Sequence, residues 1–368
     1  IELQATLPPV WVHDCNGELR KVARPAMARD ETRSYATKRS VAIDLAHPQA
    51  RDVVLDLVRS ADVVVENFSP GVMARYGLDA ATLLASRPDL VYCSISGFGQ
   101  TGPLSSMQAY AHLINAISGM MDLERGGEAT PRVSYLMTAD VLAGAHAFGS
   151  ICAALLRRAR NGRGANLDVS MLQCLIAADD LTYGALLNGG KVAREPRIGM
   201  VVHPIGERYL AMQSAGAPHL WSRLVALIGQ PELATDPRFA TVMSRRTNWP
   251  ALLEILHQWL SGFDNVDQAV ETLSAARIPA VPMLSPEEVI ELPHLAARSA
   301  FPEIGHRGRG RIRVTALPFH VDSKPVAPGG PAPYRVGEHT RQVLIEFGYN
   351  AERIRALQSA QVVEIPEP

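Results

Sequence analysis

The sequence predicts an α/β fold, with a parallel, doubly wound sheet in a large domain and a smaller α+β domain beside it. Three observations predict this. Between residues 40 and 95, short apolar runs alternate with segments of three-and-four apolar spacing, the pattern of strands alternating with helices. "DVVVENF" (62–68) is apolar through most of its length, as suits a parallel strand covered on both faces. After "NGGKVAREP" the pattern changes to a hairpin followed by a run of helices, so a second domain begins there.

Taken in order, residues 1–40 are poorly periodic and read as mostly loop. "SVAIDL" (40–45) reads as a strand, residues 48–61 as a helix, and 62–68 as a strand. A helix is expected near 79–86 and a strand over 90–95, followed by the glycine-bearing loop "SGFGQTGP". "HLINAISGMM" reads as a helix, "RVSYLM" as a strand, and 139–159 as a long alanine-rich helix. "NGRGA" (161–165) is a turn, 166–171 a strand or helix start, and 171–188 helical. Residues 201–216 read as a hairpin turning near Gly206. Helices follow near 218–229, 249–261 and 265–276, then a proline-bounded strand over 278–285 and the helical "PEEVIELPHLAARSA". The stretch ending in "GEHT" is rich in proline and glycine and largely extended, and a helix pair closes the chain. The expected domains are 1–195 with 305–368, and 196–304.

Composition narrows the function. The 368 residues are 47% hydrophobic and 20% charged, with a net charge of −1, the mix of a globular protein in water. No block of like charge stands out, which argues against nucleic acid or an anionic membrane as partner. No apolar run of roughly 18 residues is evident, so no membrane span is expected. Cys15, Cys93, Cys152 and Cys174 lie far apart without a CxxC pair, which suits a reducing, cytoplasmic setting. His203, His219, His294 and His339 show no metal-ligand spacing, and no GxSxG is present. No metal site and no hydrolase serine are expected.

The residues with candidate chemistry are few. In "SYLMTADVLAG" (134–144) Thr138 can cap a helix, which places Asp140 in its first turn. Such an aspartate can be an ordinary helix-start residue, favoured by the helix dipole. It can also be an ionised nucleophile at the C-terminal edge of a sheet, where open α/β folds bind ligands. Gly97, Gly99 and Gly102 in "SGFGQTGP" let backbone approach either a ligand or a neighbouring element. Lys38 and Arg39 are a basic pair before a strand, open to solvent or to phosphate. His112 lies in an apolar helix and reads as a core histidine.

Taken together, "KRSVAIDL", "ADVVVENFSPGVMARYGLD", "LVYCSISGFGQTGP", "AYAHLINAISG", "YLMTADVLAG", "AALLRRARNGRGANLDVSML", "DPRFAT", "ARIPAVPMLSPEEV" and "GEHTRQVLIEFGY" resemble the class III CoA-transferase (CaiB/BaiF) family, in family order over nearly the whole chain. The resemblance implies a Rossmann-like large domain built from both chain ends, an inserted small domain, and an interlocked homodimer. It implies that Asp140 attacks an acyl-CoA thioester to give a mixed anhydride, then an aspartyl-CoA thioester, before a carboxylic acid acceptor completes the exchange. Coenzyme A is then a substrate, and no metal or redox cofactor is needed. By motif, Lys38, Arg39, Asn67, Phe68, Arg75, Ser96 and Gly97 lie where relatives run the CoA chain, and Tyr110 joins this set.

Related racemases of the family pair the aspartate with a histidine at the position of Tyr110, so Tyr110 favours transferase over racemase. His112 is two residues further on, about 200° round a helix axis, and is expected to face elsewhere. A non-catalytic subunit of a hetero-oligomer is the third reading. The chain resembles the family from the second strand onward, as if one βα unit preceded Ile1. A basic residue that relatives use for CoA phosphates is Leu3 here. The short "REPRIGMVVHPIGERYL" has no glycine-rich lid, which argues against formyl-CoA and oxalate as substrates.

Overall fold

The computed structural model describes residues 11–13, 19–21, 38–125, 129–133, 136–192, 199–213, 218–306, 310–326, 333 and 335–366. The expectations for Cys15, Leu3 and most of residues 1–37 lie outside this set. The chain divides into two compact units. One is Ile1–Arg125 with Thr130–Gly190 and His294–Pro368; the other is Gly126–Ala129 with Lys191–Pro293.

At the centre of the first unit is a three-stranded parallel sheet with Val91–Ser96 between Val63–Glu66 and Ala165–Ser170. Strand alternation sends Tyr92 to one face and Cys93 to the other. On the Tyr92 face, Val54 and Val58 of the Ala50–Val58 helix pack with Val64, Leu78, Leu83 and Leu90. On the Cys93 face, Ala143 and Ala147 of the Thr138–Asn161 helix pack with Val169 and Cys174. Both faces are covered, which is why the strands read as continuous apolar runs. The two ends of the unit's sequence also meet: Ala42–Ile43 pairs antiparallel with Val363–Glu364, and Thr340 Oγ accepts a hydrogen bond from the Ala42 amide at 3.0 Å.

Several expectations change. "SVAIDL" contributes only Ala42–Ile43, because its antiparallel partner is itself two residues long. The described residues of "RVSYLM" form no strand. Both flanks of Val91–Ser96 are already occupied, and Val133 and Leu136 are exposed instead. The segment 171–188 is two helices, Met171–Ala178 and Asp180–Leu187. Asp179 leaves helical geometry between them and caps the second through the Thr182 amide at 3.2 Å. "PEEVIELPHLAARSA" also breaks, into Pro286–Ile290 and Pro293–Ala297, the first held by a Ser285–Glu288 capping box.

The 24-residue Thr138–Asn161 helix contains an 18-residue window of mean hydropathy 1.5, long and apolar enough by length and composition to cross a membrane, which the sequence reading did not foresee. Its alanines at 139, 143, 147 and 154 are buried. This small-residue face lets the helix lie close on the sheet.

The second unit holds the antiparallel sheet Met200–Ile205, Arg208–Gln213 and Ala280–Pro282, with the hairpin turning at Gly206 (φ +62°). The Pro218–Ile228, Trp249–Leu260 and Val266–Ala275 helices supply Leu224, Leu252, Leu256 and Leu273 to one apolar core with Leu210 and Met212. Sequence reading missed the short Val242–Thr247 helix, which a Thr241–Ser244 capping box starts.

Candidate active site

The position of Asp140 follows from how its helix is anchored. At the far end of that helix the Arg158 guanidinium pairs with Asp62 at 2.7 Å and reaches the Asp89 carbonyl at 3.4 Å. Asp62 immediately precedes one parallel strand, and Asp89 precedes the next with only Leu90 between. The helix C-terminus therefore lies at the N-terminal edge of the sheet, and its first turn lies at the C-terminal edge. Asp140 is the third residue of that turn. Thr138 is not the cap as expected: Met137 holds that position without a side-chain hydrogen bond, and Thr138 is already helical.

Asp140 is exposed while Ala139 beside it is fully buried. Crowding of the carboxyl by protein pushes its pKa up from the ordinary aspartate value, and the charge of His112 pulls it back down. A helix terminus by itself favours the ionised form.

The expectation that His112 faces elsewhere than Tyr110 rested on an angular argument. The angular argument assumed that Tyr110 and His112 share a helix. Tyr110 is instead the extended N-cap (φ −135°, ψ 152°) of Ala111–Ile117, and only His112 is helical. Ala111 and Ile114 pack with Ala139 and Leu175, which brings His112 within electrostatic reach of Asp140. Tyr110 is 71% exposed, and its ring is free of the core.

The loop after the middle strand joins this site through Gly97. A Cβ there would overlap Ala109 Cβ and stand 3.2 Å from Ile114 Cδ1. Its close backbone approach is thus made to the segment carrying Tyr110 and His112. The Gly97 carbonyl accepts the Leu172 amide at 3.0 Å. Ser96 is buried, and its hydroxyl lies 3.4 Å from Gln100 Nε2.

On the other sheet face lies a polar row that sequence reading missed. Glu66, Ser94 and Asp168 are in register across the three strands. Burial raises the Glu66 pKa, hydrogen bonds from Ser94 and the Phe68 amide oppose that, and Asp168 adds to it. The alternation of Val64 and Glu66 as buried positions was the available signal. Asp168 takes the Gln100 amide at about 3.0–3.1 Å, so that loop donor is already satisfied within the chain.

The remaining predicted residues stand apart from Asp140 in sequence and partners. Asn67 is exposed, and Phe68 is half-buried with its amide on Glu66 Oε2 at 2.8 Å. Arg75 is exposed at the end of the Val72–Arg75 turn of helix. Lys38 is half-buried. Arg39 is ion-paired with Glu346 and holds that carboxyl below the usual glutamate range.

The sequence model of a family described as "CoA-transferase family III" matches residues 18–340. The formyl-CoA:oxalate CoA-transferase of Streptomyces coelicolor is 30% identical over 353 residues, spanning 89% of this chain and 84% of that one. The succinate–glutarate CoA-transferase of Agrobacterium fabrum is 31% identical over 318 residues, spanning 84% and 78%. Among solved structures, a CaiB/BaiF family protein from Brucella suis is similar with a TM-score of 0.71 at 28% identity, over 85% of this chain and 82% of that one. The match runs through both compact units and through the segments that build the Asp140 turn, and the chain therefore belongs to CoA-transferase family III and is a transferase.

Proposed function

We propose that the protein transfers CoA from an acyl-CoA donor to a carboxylic acid acceptor with the Asp140 carboxylate as nucleophile. The observation that supports this reading is the place of Asp140, exposed in the first turn of a helix at the C-terminal edge of a parallel sheet. Open α/β sheets bind ligands at that edge. A carboxylate oxygen adds to the thioester carbonyl, the C–S bond breaks, and CoA leaves as thiolate with the Asp140 acyl anhydride formed. The thiolate then attacks the aspartyl carbonyl, releasing the donor acid and leaving Asp140 as its CoA thioester. An acceptor carboxylate reverses the two steps and departs as the new acyl-CoA. Every step moves electron pairs among carbon, oxygen and sulfur, so no redox partner is required.

Lys38, Asn67, Phe68 and Arg75 are proposed to follow the CoA chain, with Ser96, Gly97 and Tyr110 nearer the thioester. Arg39 joins them only by leaving Glu346. The relatives' names concern oxalate, succinate and glutarate, so short dicarboxylic acids and their CoA thioesters are the first substrates to test.

The partner is proposed to be a second copy of the chain. Opposite its buried alanines the Thr138–Asn161 helix exposes Val141 (68%), Phe148 (64%) and Leu156 (57%), an apolar stripe at helical spacing. Leu113 and Ile117 of the neighbouring helix extend it. An apolar surface of this kind marks an interface.

The test is intact-protein mass spectrometry after mixing with succinyl-CoA or glutaryl-CoA and no acceptor. A CoA-sized adduct on Asp140, absent in Asp140→Ala, is the expected result. An Asp140→Ala protein that still exchanged CoA would refute the assignment.

A further inference from the structure

We propose that Asp168 is a positioning residue for CoA binding: its carboxylate clamps the turn at Gly99 and Gln100, and so pre-forms the loop after the middle strand as one wall of the CoA site. The inference rests on the reading that this loop borders a CoA site beside Asp140.

The clamp is built across the sheet. Asp168 stands on the Ala165–Ser170 strand, in register with Ser94 of the middle strand and just before the Ser96–Ser170 pair. Beyond Ser96 the chain turns back over that edge. The Gln100 amide donates to both Asp168 oxygens, at 3.1 Å to Oδ1 and 3.0 Å to Oδ2. The reversal is made at Gly99, which is buried with φ +90°, a conformation open to glycine and costly for other residues. A Cβ on Gly99 would stand 3.5 Å from Asp168 Oδ2 and 3.7 Å from Ser170 Cβ, so the turn lies against that strand. Gln100 Nε2 donates to Ser96 Oγ at 3.4 Å and closes the loop on itself.

The other limb of the loop reaches the Asp140 turn. The Gly97 carbonyl accepts the Leu172 amide at 3.0 Å. Phe98 packs with Ala111, Ile114 and Ala139 in one apolar cluster, and Ala139 immediately precedes Asp140. The loop is thus held by apolar packing beside Asp140 and by a carboxylate at Gln100. Glu66, in the same row of the sheet, holds the Phe68 amide at 2.8 Å in a similar way. Without Asp168, the Gly99–Gln100 limb is released while the Gly97–Phe98 limb stays packed. A bound ligand must then order the released limb again, and the cost falls on binding.

Two other roles for an exposed acid here predict different results. A carboxylate that only faced solvent near an anionic ligand would repel it, and its removal would tighten CoA binding. One that only supported the fold would lower the folded fraction and leave KM in place.

The experiment compares full-length wild type, Asp168→Ala, Asp168→Asn and Asn166→Ala, the last an exposed residue earlier on the same strand. Free CoA is titrated by calorimetry, and exchange is followed with succinyl-CoA and glutarate. Asp168→Ala should weaken CoA binding and raise KM for succinyl-CoA by about tenfold, near the low end for a hydrogen bond to a charged group. Its kcat should stay within about threefold. Asp168→Asn keeps one acceptor oxygen and should fall between, and Asn166→Ala should match wild type. Hydrogen exchange at the Gln100 amide should quicken by about tenfold in Asp168→Ala.

Unchanged or tighter CoA binding in folded Asp168→Ala overturns the proposal, as do unchanged exchange at Gln100, an equal loss in Asn166→Ala, or a wild type that binds no CoA. A raised KM in Asp168→Ala, beside CoA exchange that survives in Asp140→Ala, would keep the clamp and sink the nucleophile assignment.

Discussion

Replacing Gly97 by alanine isolates what the close approach at the end of the middle strand does. The added Cβ would fall far inside the 3.0 Å that real contacts essentially never breach, against Ala109 Cβ, and 3.2 Å from Ile114 Cδ1. Ala109 carries its Cβ on backbone, so no side-chain rotation relieves the overlap. The strand end and the 109–114 segment must part by about 1 Å, and overpacking of this kind costs about 1–3 kcal/mol. The displaced segment carries Tyr110 and His112, and a shift of about 1 Å near reacting groups can cost about a hundredfold in rate. Gly164 is the control. A Cβ there would overlap the Leu90 carbonyl, at the opposite edge of the sheet. Gly164→Ala should lose comparable or greater stability with kcat/KM of the folded fraction nearly intact. Urea unfolding together with CoA-exchange kinetics on both variants reads the two effects separately. Gly97→Ala with wild-type stability and rate, or Gly164→Ala with the larger rate loss, would refute the reasoning.

Two further outcomes follow from other parts of the molecule. Phe148→Glu puts a charge in the middle of the exposed stripe and should shift the protein from dimer to monomer in analytical ultracentrifugation; a wild-type sedimentation coefficient would exclude this helix as the interface. In the second unit His203 is buried, with its Nδ1 2.5 Å from His257 Nδ1 and Nε2 3.3 Å from the Ser261 hydroxyl. Burial first, and the His257 charge second, hold its pKa below the ordinary 6.5. The unfolded chain then takes up a proton before the folded one does, so stability is full above pH 6.5 and declines as pH falls below it. Urea unfolding at pH 7.5 and 5.5 should show a smaller pH-dependent loss in His257→Gln than in wild type, and an equal loss would rule the pair out.

What the sequence made legible was governed by periodicity. The runs 62–68 and 90–95 are apolar because the sheet is covered on both faces, and that is a local signal. The breaks were less legible. "RVSYLM" has the composition of a strand, but its described residues pair with none, and which strands flank Val91–Ser96 is set by pairing between segments distant in sequence. Asp140 was legible because the turn that holds it is contiguous. The neighbourhood of His112 was not, because it depends on a single residue: Tyr110 is extended, so the helix begins one position later than the angular argument supposed. Glu66 was legible in principle, as an acid at an inward position of a strand.

The electrostatics of Asp140 bear on its chemistry in a way that neither a helix terminus nor burial alone would give. A carboxylate held strongly acidic by a helix terminus is a weak nucleophile, though it leaves an anhydride readily. One raised by burial is a stronger nucleophile, but it risks protonation and a less reactive anhydride. In the proposed mechanism CoA exchange runs over Asp140 in both directions, which asks the same oxygen to attack well and leave well. Crowding of the carboxyl by protein, which raises the pKa, and a histidine charge that lowers it act in opposition on this one exposed residue.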